Sequence, residues 1–286
     1  MNGSRSEICA VAIARDEAQF VEEWIAYHRL IGVDRFFLYD DDPMLPLQNL
    51  LHRHAAYVSV IPWWGHNEGL PGRNRQTKAY THFHETYASR FAWVAFIDID
   101  EFITLREAPS LRDFLAEFSE ASAVSLHWHV FGHSGLYDDP VGLVTETLTR
   151  RMRLPSRQYK SLTRPEAIAR IGSAHACALK PGGVQVDGNG QRLTSAIYDG
   201  ITRRAHINHY QCRSFRRWMA RVERGDVNVD PTDATQKPDR WRVDREACLR
   251  HFVETVAFDK NEHEDLFMRR YSDAIRRVLA SLPVPV

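Results

Sequence analysis

Short apolar runs alternate with segments of helical periodicity through the first half of the chain. The apolar runs lack regular polar alternation, which predicts strands covered on both faces, as in parallel sheets. Because strand and helix alternate with short connections, the pattern predicts a parallel, doubly wound α/β sheet. The predicted strands are 7–14, 33–39, 57–61, 91–97 and 123–128, and the predicted helices are 20–31, 47–54, 73–87 and 110–118.

Local signals predict where several elements begin and end. Asp16 followed by Gln19 resembles a helix capping box, and Gly32 is typical of a helix C-terminus. The glycine-rich segments 181–183 and 187–190 are typical of hairpin turns. The chain from 150 to 200 otherwise consists of short, Arg-rich and Gly-broken segments. This pattern predicts an irregular lobe that contains β-structure.

Helical periodicity returns after residue 213, and a final helix is predicted over 262–282. The segment Arg213–Arg224 has apolar residues on one helical face and four arginines on another. This basic face has three interpretations: a solvated surface, a pyrophosphate contact, or peripheral contact with the inner face of a membrane.

The apolar run 91–97 ends in the acidic sequence Asp98-Ile99-Asp100-Glu101. In open α/β sheets, ligands bind beyond the carboxyl ends of the strands. Two carboxylates spaced as Asp-x-Asp can share one Mg²⁺ or Mn²⁺ ion, which also accepts phosphate oxygens. For an isolated Asp-x-Asp, however, a plain acidic turn after a strand is the better interpretation.

Acidic residues also follow the first two predicted strands, at 16–17 and 40–42. Parallel strands would bring all three acidic groups to one rim, where they can hold a sugar hydroxyl, a nucleobase N–H or a metal. Arg73, Arg75 and Lys78 lie near the start of the next helix, a place that suits phosphate. Solvated charges at a helix start are the alternative interpretation.

Two histidines, His206 and His209, form a His-x-x-His motif in the second half of the chain. Imidazole is a common ligand of first-row transition metals, so one of them could complete a site begun by Asp98 and Asp100. His175 is a poorer candidate. Structural histidines are the better interpretation of an isolated His-x-x-His spacing.

Composition and charge narrow the class of protein. The 286 residues carry a formal net charge of zero, with 44% hydrophobic and 26% charged residues, as in ordinary globular proteins. With no global basic field, we expect no nucleic-acid partner. The four cysteines are widely spaced, and the sequence lacks a signal-peptide pattern and any bilayer-spanning apolar run. We therefore expect a cytoplasmic protein in a reducing compartment.

A set of short motifs occurs in a fixed order along the chain. It comprises Arg15-Asp16-Glu17, Glu23-Trp24-Ile25-Ala26-Tyr27-His28, Gly32-Val33-Asp34, Tyr39-Asp40, Gln76, Phe96-Ile97-Asp98-Ile99-Asp100-Glu101-Phe102, Trp128, Phe131-Gly132, Ser134-Gly135, Lys160 and His209-Tyr210. Over residues 7–225 this order resembles the family-2-like and family-92-like (formerly unknown-function-23) glycosyltransferases of the GT-A fold. Arg15-Asp16-Glu17 and Arg213-Ser214 depart from the Lys-Asn-Glu and Lys-Ser that are common there, but keep the charge or polar character.

The resemblance implies a GT-A-like α/β domain at 1–225, with a nucleotide-binding half at 7–103 and an irregular acceptor half at 104–225. A helical extension would follow at 226–286. It also implies a glycosyltransferase that uses a nucleotide-sugar donor, most simply a UDP-sugar. Asp98 and Asp100 would hold Mn²⁺ or Mg²⁺ against the donor diphosphate, and His209 or His206 would complete the metal site. The residues expected around the donor are Arg15, Glu17, Asp40, Arg75, Gln76, Lys78 and Asp98.

The resemblance further implies inversion at the transferred sugar, which requires a base to deprotonate the acceptor hydroxyl. Its candidates are Asp138, Asp139, Glu146 and Glu101, with the first two favoured because they follow the Phe-Gly-x-Ser-Gly loop. The acceptor would be a glycan or a lipid-linked glycan, as in surface-polysaccharide assembly.

Two other functions compete with sugar transfer. A nucleotidyltransferase or phosphohydrolase could use the same strand-end carboxylates. A nucleotidyltransferase, however, would be expected to carry a Gly-rich phosphate loop after the first strand, where Arg15-Asp16-Glu17 stands instead. A non-catalytic binding domain is the other alternative, and the intact Asp98 and Asp100 argue against it.

Overall fold

The computed structural model describes residues 6–64, 75–193, 202–224 and 244–282. Within these residues one sheet has nine strands. They are β1 (Ile8–Ala14), β2 (Arg35–Asp40), β3 (Val58–Pro62), β4 (Trp93–Phe96), β5 (Glu101–Leu105), β6 (Ala123–Val130), β8 (Tyr159–Thr163), β11 (Gln185–Asp187) and β12 (Ala205–His209). Two small sheets pair β7 (Arg150–Arg151) with β13 (His263–Glu264) and β9 (Ile168–Ile171) with β10 (Cys177–Leu179).

The main sheet has the strand order β3-β2-β1-β4-β8-β6-β12-β5, with β11 beside β6. Neighbours pair in parallel from β3 through β4, and β6 is parallel to both β11 and β12. Only β8 and β5 run antiparallel to the strands beside them. The predicted α/β class, with a mostly parallel central sheet and an irregular β-containing lobe, is therefore confirmed.

Helices cover both faces of the sheet. They are α1 (Val21–Leu30), α2 (Leu47–Leu51), α3 (Arg75–Thr86), α4 (Leu111–Ala116), α5 (Val144–Thr147), α6 (Phe215–Arg224), α7 (Arg245–His251) and α8 (Ser272–Ala280). Along β1, Ile8 and Ala10 pack in the same core cluster as α1, whereas Cys9 and Val11 pack in a second cluster with α3. Double-sided burial explains why the strand sequence shows no polar alternation. Among the described residues, no helix has the length and apolarity needed to cross a bilayer.

Helix α1 covers the free edge of β5, the strand that follows the Asp-x-Asp turn. The Trp24 indole N–H donates to the Glu101 carbonyl at 2.9 Å, and the Tyr27 hydroxyl donates to the Ile103 carbonyl at 2.6 Å. The Ile103 amide donates to Nε2 of His28 at 3.2 Å. An edge strand presents unpaired peptide groups on one side. Three side chains on adjacent turns of α1 therefore take the place of a neighbouring strand.

Glu23, on the same helix, holds the start of α5. Its buried carboxylate accepts the Val144 amide at 2.7 Å, the Thr145 amide at 2.9 Å and the Thr145 hydroxyl at 2.6 Å. Amides at a helix start have no partner within the helix, so a carboxylate satisfies them well. The Glu-Trp-Ile-x-Tyr-His motif thus joins α1 to both β5 and α5.

Two expectations for the first half of the chain are wrong in detail. The predicted strand 91–97 is shorter in the structure, where β4 covers only Trp93–Phe96, and a further strand, β5, begins at Glu101 after a tight turn. The predicted capping box at Asp16 does not form, because α1 begins at Val21 without a side-chain cap. Asp16 instead takes a left-handed backbone conformation with φ of 60°.

The glycine-rich turns and the last helix also differ in part from expectation. The turn at 187–190 closes a tight hairpin through the Val186–Arg192 bridge. The turn at 181–183 joins β10 to β11, which pair with different strands rather than with each other. In place of one helix over 262–282, the structure has a short strand (β13), then a 3₁₀ turn, and only then the helix α8. Arg73 lies outside the described residues.

The C-terminal segment packs directly on the sheet domain. Ile275 of α8 is fully buried, and the Tyr271 ring lies 5.1 Å from the ring of Tyr27 on α1. Asp265 accepts hydrogen bonds from Arg106 at 2.7 Å and from Arg151 at 3.0 Å. This segment therefore packs against α1 and also contacts β5, where the Thr104 hydroxyl lies 3.7 Å from Sδ of Met268.

We predict that acid weakens the fold through His28. Its Nδ1–H donates to the Trp24 carbonyl at 2.8 Å while bare Nε2 accepts from Ile103, so only the neutral ring fits. Burial lowers the pKa of His28 from 6.5 to about 3. Because the unfolded state binds the proton more readily, stability from this group is lost as pH falls from about 6.5 toward 3.

Between pH 7 and pH 5 the expected loss from His28 is about 2 kcal/mol in the free energy of unfolding. Urea unfolding of wild type and His28→Gln at both pH values measures it, because the difference in stability between them should shrink by that amount. His52→Gln, which removes an exposed histidine, is the matched control. An unchanged difference for His28→Gln would refute the assignment.

Candidate functional site

The Asp-x-Asp turn between β4 and β5 is held by the backbone and by Glu101. The Glu101 amide donates to the Asp98 carbonyl at 3.0 Å, and the Tyr210 amide donates to the Asp100 carbonyl at 2.8 Å. The Asp98 amide donates to Oε2 of the buried Glu101 side chain at 3.0 Å. The Glu101 side chain therefore holds the turn from the buried side and does not face solvent.

Asp98 is surrounded by three donors from two elements. The ammonium of Lys160 on β8 lies 3.0 Å from its Oδ2, while the Gln76 amide and the Tyr80 hydroxyl, both on α3, donate to its Oδ1 at 2.5 and 3.4 Å. The Asp98 side chain keeps 33% of its surface exposed. Its carboxylate is thus fixed in orientation and still reachable from outside.

Lys160 is a buried cation, with 1% of its side chain exposed, between Asp98 and Glu101. Its Nζ lies 3.5 Å from Oε2 of Glu101. Burial works against the charged ammonium, but Asp98 and Glu101 outweigh it and raise the pKa of Lys160. Burial also raises the pKa of the Glu101 carboxyl, against the opposing effect of Lys160. Lys160 therefore remains a fixed positive charge beneath the turn.

Asp100 faces His209 on β12. Nε2 of His209 lies 3.4 Å from Oδ2 of Asp100, and the imidazole packs against Trp128 with ring centroids 4.3 Å apart. Burial works against ionisation of Asp100, but His209, Arg213 and Arg221 together outweigh it and lower the pKa of this carboxyl. In the described residues Nδ1 of His209 is buried without a hydrogen-bond partner.

His206 lies on the opposite face of β12 from His209. Its ring stacks on His129 with centroids 4.0 Å apart, and its Nε2 contacts Oδ1 of Asn208 at 3.0 Å. This placement gives His206 a structural role in the core and separates it from Asp100. His175 is exposed and packs edge-on against Trp128, with centroids 5.3 Å apart.

The residues at the turn fit a divalent cation through one pair of side chains. In the parts of the chain that the structure describes, no three His, Cys, Asp or Glu side chains converge as a complete metal cage. Asp100 and His209 nevertheless offer an oxygen and a nitrogen at a spacing that one ion can bridge. Mg²⁺-type sites often take only one or two protein ligands and complete their shell with substrate phosphates and water.

The sequence matches a known family over most of its length. The family model described as glycosyltransferase family 92 matches residues 5–245. The chain belongs to glycosyltransferase family 92.

Plant members of family 92 resemble the chain over part of their length. A family 92 protein of Oryza sativa subsp. japonica is 32% identical over 213 residues, which is 71% of this chain and 33% of the relative. One of Arabidopsis thaliana is 28% identical over 197 residues, or 63% of this chain and 33% of the relative. The family 92 chain thus spans about a third of the length of these curated relatives.

Solved glycosyltransferase structures show a distant resemblance. Mannosyl-3-phosphoglycerate synthase from Rubrobacter xylanophilus aligns with a TM-score of 0.37 and 18% identity, covering 67% of each chain. The catalytic domain of Drosophila beta1,4galactosyltransferase 7 aligns with a TM-score of 0.34 and 13% identity, covering 91% of this chain and 82% of that one. At this similarity neither structure identifies a substrate for the family 92 chain.

The loop after β1 is joined to the start of α6 by buried charge. Arg213 donates to Glu17 at 2.6 Å and lies over the Phe20 ring, 4.0 Å from its centroid. Burial raises the pKa of Glu17, and Arg213 opposes that effect. Arg217 reaches both Asp16, at 3.2 Å, and Asp139. Two arginines expected on a basic surface are therefore engaged within the fold, which leaves less charge for a membrane.

The remaining donor-side candidates form two groups. Both carboxylate oxygens of Asp40 accept backbone amides, from Leu47 at 2.7 Å and Asp42 at 3.3 Å, so Asp40 shapes its own turn. The adjacent Asp41 instead receives Arg75 at 2.9 Å and lies 3.8 Å from Arg15. Gln76 is joined to Asp98, and Lys78 follows it on α3.

The four candidate bases do not gather at the turn. Asp139 accepts from Ser214 at 2.7 Å and from Arg217 at 2.8 Å, whereas Asp138 is largely exposed beside Arg216. Glu146 pairs with Arg276, and Glu101 lies buried beneath Asp98. These contacts give Asp139 and Glu146 structural partners, and the assignment of the base stays a prediction.

The sequence predicted no pairing partner for the side chains that hold Asp98 and Glu17 in place, which are Lys160, Tyr80 and Arg213. Lys160 interrupts an otherwise uncharged strand, Tyr159–Thr163, and a lysine in such a position was the one available signal. The contacts of Tyr80 and Arg213 join residues far apart in the chain, which periodicity does not reveal.

We predict that Arg213→Met destabilises the fold by about 2 to 3 kcal/mol, because it leaves the Glu17 carboxylate without its partner. Adding Glu17→Gln should recover much of that loss. Chemical denaturation of the single and double variants measures both effects. Arg250→Ala, which removes an exposed pair with Glu246 on α7, is the control and should change stability by at most about 0.5 kcal/mol. A loss for Arg213→Met no larger than the control would contradict the buried-pair role.

Proposed function

We propose that the chain is a metal-dependent glycosyltransferase that moves a sugar from a nucleotide-sugar, most simply a UDP-sugar, to a glycan or lipid-linked hydroxyl. The observation that carries the proposal is the pairing of Asp100 with His209 at 3.4 Å beside the fixed, accessible Asp98. Membership of glycosyltransferase family 92 supports the reaction class.

Asp100 and His209 would hold the Mn²⁺ or Mg²⁺ ion. When bound, such an ion supplies Lewis-acid stabilisation of the negative charge that develops on a leaving diphosphate. The protein's part is to hold Asp100 in place and to orient His209. The first follows from the Tyr210 amide, which donates to the Asp100 carbonyl, and the second from packing against Trp128.

The donor would lie along the rim formed by the ends of β1, β2 and β4. Arg75 and Arg15 both face Asp41 at this rim and keep 33% and 40% of their side chains exposed. Exposed guanidinium groups can donate to diphosphate oxygens in pairs. Gln76 and Lys78, on the first turn of α3, extend the same donor set.

Transfer with inversion would require a base on the acceptor side. Asp138 and Asp139 remain the favoured pair from the sequence, and of these Asp138 has the more exposed carboxylate, with 62% of its side chain accessible. A base must reach the acceptor hydroxyl and be ionised at the working pH. Asp138 is therefore the first candidate base to test by substitution.

Metal-dependent donor binding is the direct test of the proposed function. Purified protein should show a thermal shift with one member of a panel of UDP-, GDP- and CMP-sugars when Mn²⁺ is present, because ligand binding stabilises the folded state by mass action. Asp100→Asn should abolish the shift. A panel without any metal-dependent shift would overturn the proposal, and binding without sugar transfer or donor hydrolysis would favour a non-catalytic domain.

The two histidines of the His-x-x-His motif should behave differently. We predict that His209→Ala weakens Mn²⁺-dependent donor binding at least about tenfold, as loss of a metal ligand does. His206→Ala should reduce stability but leave the Mn²⁺ affinity of the folded protein nearly unchanged, since His206 packs on His129. Isothermal titration calorimetry of both variants decides the matter. Equal effects of the two variants would contradict the assignment.

A further inference from the structure

We propose that Lys160 is a positioning residue that divides the work of the two aspartates. Its ammonium serves as the resident counter-ion of Asp98, so that a divalent cation is left to Asp100 and His209. This inference rests on the proposed function and differs from the sequence prediction that Asp98 and Asp100 share the ion.

The contacts of Asp98 carry the inference. Its Oδ2 lies 3.0 Å from Nζ of Lys160, and its Oδ1 already accepts from Gln76 and Tyr80. Both oxygens are therefore engaged by donors that are fixed on β8 and α3. Asp100, in contrast, has His209 at 3.4 Å as its side-chain partner, and a histidine nitrogen can join a carboxylate oxygen around one ion.

The chemistry of lysine explains why the division is stable. A charged ammonium has three donors and no acceptor, so Lys160 cannot itself ligate a metal. Its burial between Asp98 and Glu101 keeps the charge in a region of low dielectric, where like charges repel strongly. A divalent cation placed on Oδ2 of Asp98 would meet that repulsion, whereas one between Asp100 and His209 would avoid direct contact with the ammonium.

The division gives Asp98 a different task. With its orientation fixed and a third of its surface open, it can accept hydrogen bonds from hydroxyl groups of the donor. Lys160 thus acts through Asp98 and does not touch the reacting atoms. Loss of Lys160 should then raise KM for the donor more than it lowers kcat, with Lys160→Arg recovering part of the affinity.

Mn²⁺ titration without any donor tests the division by a readout other than activity. In the wild-type background, Asp100→Asn should lower Mn²⁺ affinity at least about tenfold, whereas Asp98→Asn should change it by no more than about threefold. Electron paramagnetic resonance of free Mn²⁺ measures both. Equal losses for Asp98→Asn and Asp100→Asn would overturn the proposal.

A second background tests the role of Lys160 itself. Lys160→Met combined with Glu101→Gln removes the cation together with its buried carboxylate partner, which limits the damage to the fold. In that background Asp98 is released, so adding Asp98→Asn should now lower Mn²⁺ affinity at least about tenfold. If Asp98→Asn still changes Mn²⁺ affinity by no more than about threefold in that background, the assignment to Lys160 is overturned. If this variant does not fold, the two aspartate variants still decide the division.

The outcomes separate this inference from the proposed function. If the protein transfers sugar but Asp98→Asn and Asp100→Asn lower Mn²⁺ affinity equally, the division of roles is refuted and the transferase function is supported. If Asp100→Asn lowers Mn²⁺ affinity and Asp98→Asn does not, but no nucleotide-sugar binds, the division of roles is supported and the transferase function is refuted. Absence of saturable Mn²⁺ binding by the wild-type protein, with transfer proceeding in chelator, would overturn both the division and the proposed metal dependence, and would leave only the sugar transfer.

Discussion

The free edge of β5 is the constraint on which the site depends. This strand follows the Asp-x-Asp turn directly and, within the described part of the chain, pairs on one side only, with β12. On its other side, Trp24, Tyr27 and His28 satisfy the peptide groups of Glu101 and Ile103. Because β5 is held between α1 and β12, the turn before it has little freedom, and Asp100 is brought opposite His209 without any ligand.

Buried cations then set the electrostatics of the rim. Lys160 compensates Asp98 and Glu101 from below, while Arg213 compensates Glu17 from the side of α6. Each cation is almost wholly buried, and a buried charge is tolerated only when it is paired and hydrogen-bonded. The acids that a nucleotide-sugar would meet are therefore held by charges that belong to the fold, and a divalent ion adds to this arrangement without having to create it.

The sequence predicts those parts of the fold and the site that depend on local pattern. Apolar runs and helical periodicity predict the parallel strands, and the Asp-x-Asp motif predicts where the rim lies. The pairing of Lys160 with Asp98 joins residues 62 positions apart, and that of Arg213 with Glu17 joins residues 196 apart, so neither has a local signal. Strand periodicity also separates His206 from His209 onto opposite faces, which their shared motif conceals. Asp40 also accepts a backbone amide of its own turn, a contact that the sequence did not predict.

We propose that Asp100 and His209 would hold one divalent cation when a nucleotide-sugar binds. Anomalous diffraction at the manganese edge, from crystals grown with Mn²⁺ and a bound UDP-sugar or UDP, locates the ion directly. We predict a single anomalous peak within bonding distance of the Asp100 carboxylate and the His209 imidazole, with Lys160 still paired to Asp98. A peak on Asp98 with Lys160 displaced, or an ordered diphosphate with no manganese beside Asp100, would contradict the account.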